Sequence, residues 1–154
     1  MTTTTITEIP VLDLEVHVGE VLGRSAPRTI TQEMVNTFGA LTGDEQWIHT
    51  DPARAAEGPF GGTIVHGFLT LALSTQAISE VVRFTGIDAV VNHGLQEVRF
   101  VAPVLVGTAV DCEVAIHSTR RRGRAFREVV LATTFRDGAQ QIVCTARIVV
   151  LLGT

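Results

Sequence analysis

Residues 67–82, GFLTLALSTQAISEVV, constrain this chain more than any other stretch. At helical spacing, Phe68, Leu69, Leu71, Ala72, Leu73, Ala77, Ile78, Val81 and Val82 cover most of the circumference. A helix that is apolar nearly all round has no face to give to water, so it belongs in a core. At 1.5 Å per residue it is about 24 Å long. No other segment has this character, so the rest of the chain has to wrap it.

The wrapping material follows directly. Residues 94–101, 108–118, 124–136 and 140–152 are rich in Val, Ile, Phe and Thr with partial alternation. Turn signals at 103–107, Arg122-Gly123 and Asp137-Gly138 separate them. Upstream, residues 12–18 alternate strictly, which reads as a fifth, half-buried strand with Asp13, Glu15 and His17 on its polar face. Short consecutive links favour antiparallel pairing. The expected class is α+β, one curved antiparallel sheet around one central helix, and a length of 154 residues favours a single domain over 1–154.

A second helix is expected over 31–42. Thr31 can cap its first turn, Ile30 and Val35 suit a hydrophobic staple, and Gly43 suits its end. Residues 51–63 hold prolines and glycines and read as a loop with at most one short turn. Residues 1–10 read as a loose polar end.

Composition removes several function classes. No run approaches the roughly 18 apolar residues that a membrane span needs. The N-terminus lacks the pattern of a signal peptide, so a cytoplasmic protein is expected. A net charge of −4 argues against nucleic acid as the partner. All 12 basic residues are Arg, which excludes a Schiff-base lysine. Cys112 and Cys144 sit in alternating apolar runs and read as buried reduced thiols. No metal-ligand spacing or phosphate-binding glycine motif is present, so neither metal nor cofactor is expected.

Chemistry concentrates in GDEQWIH. Asp44 and His49 stand five apart just beyond the expected end of the 31–42 helix. A carboxylate can accept a proton, and an imidazole can hold the same water and give or take a second one. Asp after a helix and His before Thr-Asp-Pro serve equally as turn and cap residues, and spacing does not separate the two readings. Arg120, Arg121, Arg122, Arg124 and Arg127 form a cluster, either a solvated hairpin tip or a foothold for phosphate or an acidic carrier protein.

The segment resembles the signature of MaoC-like, (R)-specific enoyl-CoA hydratases, the hydratase 2 family. That signature is a Gly-Asp-x-Asn-Pro-aliphatic-His pattern followed by a loop and an aliphatic-His-Gly helix start. Here it reads Gly43, Asp44, Glu45, Gln46, Trp47, Ile48 and His49, then Ile64-Val65-His66-Gly67-Phe68. The stretch from Val98 to Val104 also matches, and the resemblance extends over about residues 20–150. Two positions depart from it, because Gln46-Trp47 stands where the family has Asn-Pro.

The resemblance implies the hot-dog fold, a homodimer with a tunnel for the acyl-pantetheine arm, and an acyl-CoA or acyl-carrier-protein thioester as substrate. It implies that Asp44 and His49 activate a water that adds to C3 of a trans-2-enoyl thioester, giving an (R)-3-hydroxyacyl thioester, reversibly. It also implies that the Gly67 amide holds the thioester oxygen, and that residues 51–63 overhang the site. Two alternatives stand beside it. One is a hot-dog thioesterase, which would carry its carboxylate on the central helix, where Glu80 is the only acid. The other is a non-catalytic acyl-binding partner of a heterodimeric dehydratase. His66 reads either as a buried core residue or as a wall of the site.

Overall fold

Long alternating runs pair with whatever equally long run lies next to them, and four such runs dominate the computed structural model, which describes residues 6–154. They are β5 (Ala89–Phe100), β6 (Ala109–Arg122), β7 (Phe126–Asp137) and β8 (Ile142–Gly153). With the short β2 (Val21–Arg24) they make a sheet in the order β2-β6-β7-β8-β5, and β3 (Arg28–Thr29) also pairs with β6. Every pairing in it is antiparallel.

Register explains the core. Ile116, Leu131 and Ile148 lie opposite one another across β6, β7 and β8, as do Val114, Thr133 and Ala146, and Cys112, Phe135 and Cys144. All nine are buried, so one face of the sheet is continuous with the core. Since side chains alternate faces, a slip by one residue would turn that whole set outward. Asp137 sets the β7–β8 turn by accepting hydrogen bonds from the Ala139 and Gln141 amides through Oδ1.

Phe135 separates the two cysteines in register, so they sit two strand spacings apart, about 9.6 Å. That exceeds the reach of a disulfide. Both are free thiols. Burial pushes the Cys112 thiol up to about 12 and the Cys144 thiol up to about 11, which suppresses the thiolate.

The central helix lies against this face as two segments, α4 (Gly67–Ala72) and α5 (Ser74–Val81), with Leu73 between them. Leu69, Leu71, Ala77 and Val81 are buried. The sheet packs on the central helix as expected, but one stripe of the helix stays open. Phe68 is 68% exposed, and Ala72, Thr75 and Ser79 continue its open stripe. The sheet covers one side of the helix only. No described helix is long and apolar enough to cross a membrane.

The N-terminal part differs most from expectation. Residues 12–18 do not form a strand but a turn and a 3-10 helix, Leu14–His17. Leu14 is buried, whereas Leu12 and Val16 are 75% and 79% exposed. Its alternation therefore reflects composition, not burial. Residues 7–10, read as a loose end, form β1 (Thr7–Pro10), which pairs in parallel with β4 (Val82–Thr85) immediately after α5. The first five residues of that expected end lie outside the described ones.

At the far tip of the sheet, Glu128 is buried on β7, accepts hydrogen bonds from Arg120 and forms an ion pair with Arg122, both on β6. The Arg120 hydrogen bond, above all, holds its carboxyl below the usual carboxylate range against the opposing effect of burial. A carboxyl depressed in the folded state stabilises the fold above its unfolded value of about 4.3 and stops doing so as pH falls through the folded value. Glu128→Gln is therefore expected to flatten the loss of stability as pH falls below about 4.3. Urea midpoints measured through that fall check it, and parallel slopes for both proteins would contradict it.

Candidate active site

The helix expected over 31–42 forms as α1 (Gln32–Thr42). The Thr31 hydroxyl accepts from the Met34 amide at 3.3 Å, and Gly43 closes the helix at φ +77°. Such a φ suits glycine because it has no Cβ to clash. The chain leaves this helix at Asp44, passes through the single turn α2 (Trp47–Thr50), and enters α3 (Pro52–Ala56). Asp51 caps α3 by accepting from the Arg54 amide, with Pro52 at the first helical position. The cap role thus belongs to Asp51, and Asp44 is left for other work.

His49 is buried within α2. Its Nδ1 lies 2.6 Å from the Ile64 carbonyl oxygen, which can only accept, so Nδ1 carries the proton. In the neutral ring Nε2 is then the acceptor, and it stands 4.0 Å from Asp44 Oδ2. That gap is too wide for a direct hydrogen bond. It is narrow enough for one oxygen atom to lie about 2.8 Å from both. The other carboxylate oxygen, Oδ1, accepts from Gln46 Nε2 at 3.0 Å. Gln46 thus supplies an amide that fixes the carboxylate. Trp47 packs locally, with the Arg54 guanidinium 4.5 Å above its ring.

His66 joins this pair. It is 2% exposed, and its ring stacks on His49 at 3.8 Å with 27° between the planes. Nε2 lies 2.8 Å from the Asp44 carbonyl oxygen and so donates to it. Nδ1 is buried without a partner among the described residues. Asp44, His49 and His66 each bring one ligand atom within 4.8 Å of the others. Stacked rings aim their lone pairs along nearly parallel planes, so a single ion cannot lie in both. The cluster suits proton transfer better than metal binding.

Gly67 begins α4, where the first amides of a helix have no intrahelical acceptor. Its N–H makes no backbone hydrogen bond among the described residues. His49 and Gly67 line one cavity of about 250 Å³, together with Thr70, Phe100, Val143 and Cys144. Asp44 is not in its wall and reaches the site through its approach to His49.

A Cβ on Gly67 would come within 2.9 Å of the Phe100 ring. The missing side chain therefore makes room for Phe100 itself. Gly67→Ala is expected to push that ring off its edge-on contact with Phe68, now at 5.6 Å, and to lower activity. Gly67→Ala with Phe100→Ala should recover most of the loss. Steady-state rates of both variants check this, and an unrecovered double variant would mean that the glycine serves something other than the ring.

Several supporting residues carry weak sequence signals. Gln32 donates through Nε2 to the His49 carbonyl at 2.7 Å and accepts from the Thr63 hydroxyl at 2.6 Å. In the sequence it looks like an ordinary first-turn residue. A Cβ on Gly39 would meet the Asp44 carbonyl oxygen at 3.0 Å and the His66 ring at 3.6 Å. A glycine in mid-helix was the one available clue. Phe100 lies in the Val98–Val104 stretch that carries part of the resemblance, but only the fold brings the end of β5 to Gly67.

Residues 13–137 match the family model described as MaoC like domain. The 3-hydroxyacyl-thioester dehydratase Z of Mycobacterium tuberculosis is 43% identical over 141 residues, covering 91% of this chain and 93% of that protein. Two solved structures are similar in fold and sequence. R-hydratase PhaJ1 of Pseudomonas aeruginosa has a TM-score of 0.72 at 26% identity, over 86% of this chain and 81% of that one. The (R)-hydratase of A. caviae involved in PHA biosynthesis has a TM-score of 0.65 at 27% identity, over 85% and 95%.

Proposed function

The chain belongs to the MaoC-like dehydratase family and has its hot-dog fold, and on that premise we propose that it hydrates trans-2-enoyl thioesters to (R)-3-hydroxyacyl thioesters, reversibly. The observation that carries this reading is the pair of proton acceptors, Asp44 Oδ2 and His49 Nε2, held 4.0 Å apart. One water can give a hydrogen bond to each and keep a lone pair for C3. As the C3–O bond forms, one acceptor takes a proton from the water. The carbon–carbon π electrons move toward the thioester, and C2 then takes a proton back. The reverse steps are dehydration.

Charge develops on the thioester oxygen during addition. The Gly67 amide, at a helix N-terminus, is the proposed donor to it, since a donor fixed there favours the transition state over the substrate. The cavity it shares with His49 has an apolar wall that suits an acyl chain. A thioesterase reading has less support. Glu80, the acid of the central helix, is engaged by the Gln76 amide at 2.8 Å and the Ala26 N–H at 3.3 Å.

The working unit in this proposal is one hot-dog domain per chain, paired as a homodimer along β5. That strand is a 12-residue edge with Val90, Val91, Leu95 and Phe100 exposed. The open stripe of the central helix, Phe68 to Ser79, borders it. A long apolar edge with unpaired backbone groups is a template for another strand. Leu95→Arg should shift the mass seen by light scattering from dimer to monomer, and an unchanged dimer would rule out this edge.

Mixing the protein with crotonyl-CoA tests the activity. Loss of the enoyl-thioester absorbance, with a product oxidised by an (R)-specific 3-hydroxyacyl dehydrogenase, is the expected result. Release of free thiol without hydroxyacyl product would establish hydrolysis instead.

A further inference from the structure

Alternation divides the arginine cluster between two faces of the β6–β7 hairpin. On one face, Arg120 and Arg122 are answered by Glu128, and Arg122 also donates to His93 Nε2 at 3.0 Å. On the other, Arg121 stands directly opposite Arg127, with Arg124 in the turn between them. Like charges directly opposite across a strand pair are destabilising. Glu15 is the described acidic side chain that reaches this second face, through Arg127, so three guanidinium groups share one carboxylate side chain. Arg121 and Arg124 are exposed, and neither has a carboxylate within ion-pair distance among the described residues.

These three side chains line a cavity of about 370 Å³ with Pro10, Leu12, Phe126 and the last residue, Thr154, and no Asp or Glu side chain among the described residues takes part in its wall. Leu12 and Phe126 are both exposed there. A concentrated positive charge on a molecule of net charge −4 is not a general surface property. Guanidinium groups pair with phosphate oxygens two at a time and stack on flat rings. Cations beside an apolar floor therefore fit a phosphorylated nucleotide better than bare phosphate.

The cavity lies at the wrong end of the sheet to serve its own chain's acid–base pair. Phe100, at the site, pairs with Cys144, whereas Phe126, at the cavity, pairs with Gly153. Nine residues of β8 separate these two levels, about 30 Å at 3.3 Å per residue. A two-fold pairing of β5 with its own copy is necessarily antiparallel, so the Ala89 end of one copy meets the Phe100 end of the other. The arginine hairpin of one chain then stands about three strand spacings, or about 14 Å, from its partner's Phe100.

We propose that the cavity lined by Arg121, Arg124 and Arg127 holds the phosphorylated nucleotide end of a CoA thioester whose acyl group lies in the partner copy's site. This rests on the hydration reading and on pairing along β5. The double variant Arg121→Ala with Arg124→Ala tests it, with folding checked by circular dichroism.

Calorimetry with adenosine 3′,5′-bisphosphate needs no turnover, so it tests the cavity even if the hydration reading fails. Wild type should bind it at least tenfold more tightly than inorganic phosphate, and the variant should lose at least tenfold. Equal binding by both proteins, or no binding by wild type, would overturn the proposal. The ratio of kcat/KM for crotonyl-CoA to that for crotonyl-pantetheine should also fall at least tenfold in the variant. A fall seen only with a carrier-protein thioester would mean that the hairpin reads an acidic protein, and would overturn the nucleotide assignment.

Mixed dimers test the crossing between copies. Combining the arginine variant with Asp44→Asn should restore one site per dimer that has both an acid–base pair and an intact cavity. Activity on crotonyl-CoA should rise above the sum of the separate proteins. No rise, after subunit exchange is shown by mass, would overturn the partner arrangement.

Discussion

Asp44→Asn and His49→Ala are each expected to lower turnover about 10²–10⁴-fold while folding and assembling normally. Asn keeps the shape of Asp44 and the contact with Gln46 but is a far weaker base than a carboxylate. Ala at 49 removes Nε2, the second acceptor, along with the donor to the Ile64 carbonyl. Asp44 is partly exposed, so its replacement should scarcely change thermal stability. His49 is buried and stacked, so some loss of stability accompanies its removal. The loss in rate should therefore be compared between variants of known folded fraction. Near-wild-type turnover by either would contradict its role.

The second large effect is expected at His66, which need not touch substrate. Its Nε2–H fixes the carbonyl of Asp44, and its ring supports that of His49. His66→Phe keeps a ring for the stack but loses the donor. His66→Gln keeps an amide donor but loses the stack. Misplacing a reacting group by about 1 Å costs on the order of 10²-fold in rate, so His66→Phe is expected to lose up to that factor, in kcat more than in KM. Phe also removes the unpartnered buried Nδ1, so thermal stability should hold. His66→Gln should recover part of the rate. A packing residue alone would give the opposite pattern, a lower melting temperature with kcat kept. That pattern would remove His66 from the site.

Legibility in the sequence followed the range of the interactions involved. Thr31 and Gly43 bounded α1 correctly because capping is settled within a few residues. The strands from β6 to β8 were legible because each is long enough for its burial period to show. Residues 12–18 misled because seven alternating residues mimic a strand when nothing pairs with them. β1 and β2 are four residues each, too short to show a period, and partners far along the chain decide them. The proposed acid–base pair, Asp44 and His49, stood out through the family resemblance of its spacing. Its supports did not, since Gln32, the Ile64 carbonyl, Gly39 and Phe100 converge only when the chain is folded. The open helix stripe was hidden for a related reason. Apolar residues left open on a helix read in a sequence like apolar residues in a core.

The most direct measurement is the fate of labelled water. The protein is incubated with a trans-2-enoyl-CoA in H₂¹⁸O, and the products are resolved by mass spectrometry. Addition of a water proposed to lie between Asp44 and His49 predicts an intact thioester with one ¹⁸O on C3, and the rate of that labelling should fall about 10²–10⁴-fold with Asp44→Asn. Label in a free carboxylic acid, with unlabelled C3, would show attack at the thioester carbonyl and contradict the account.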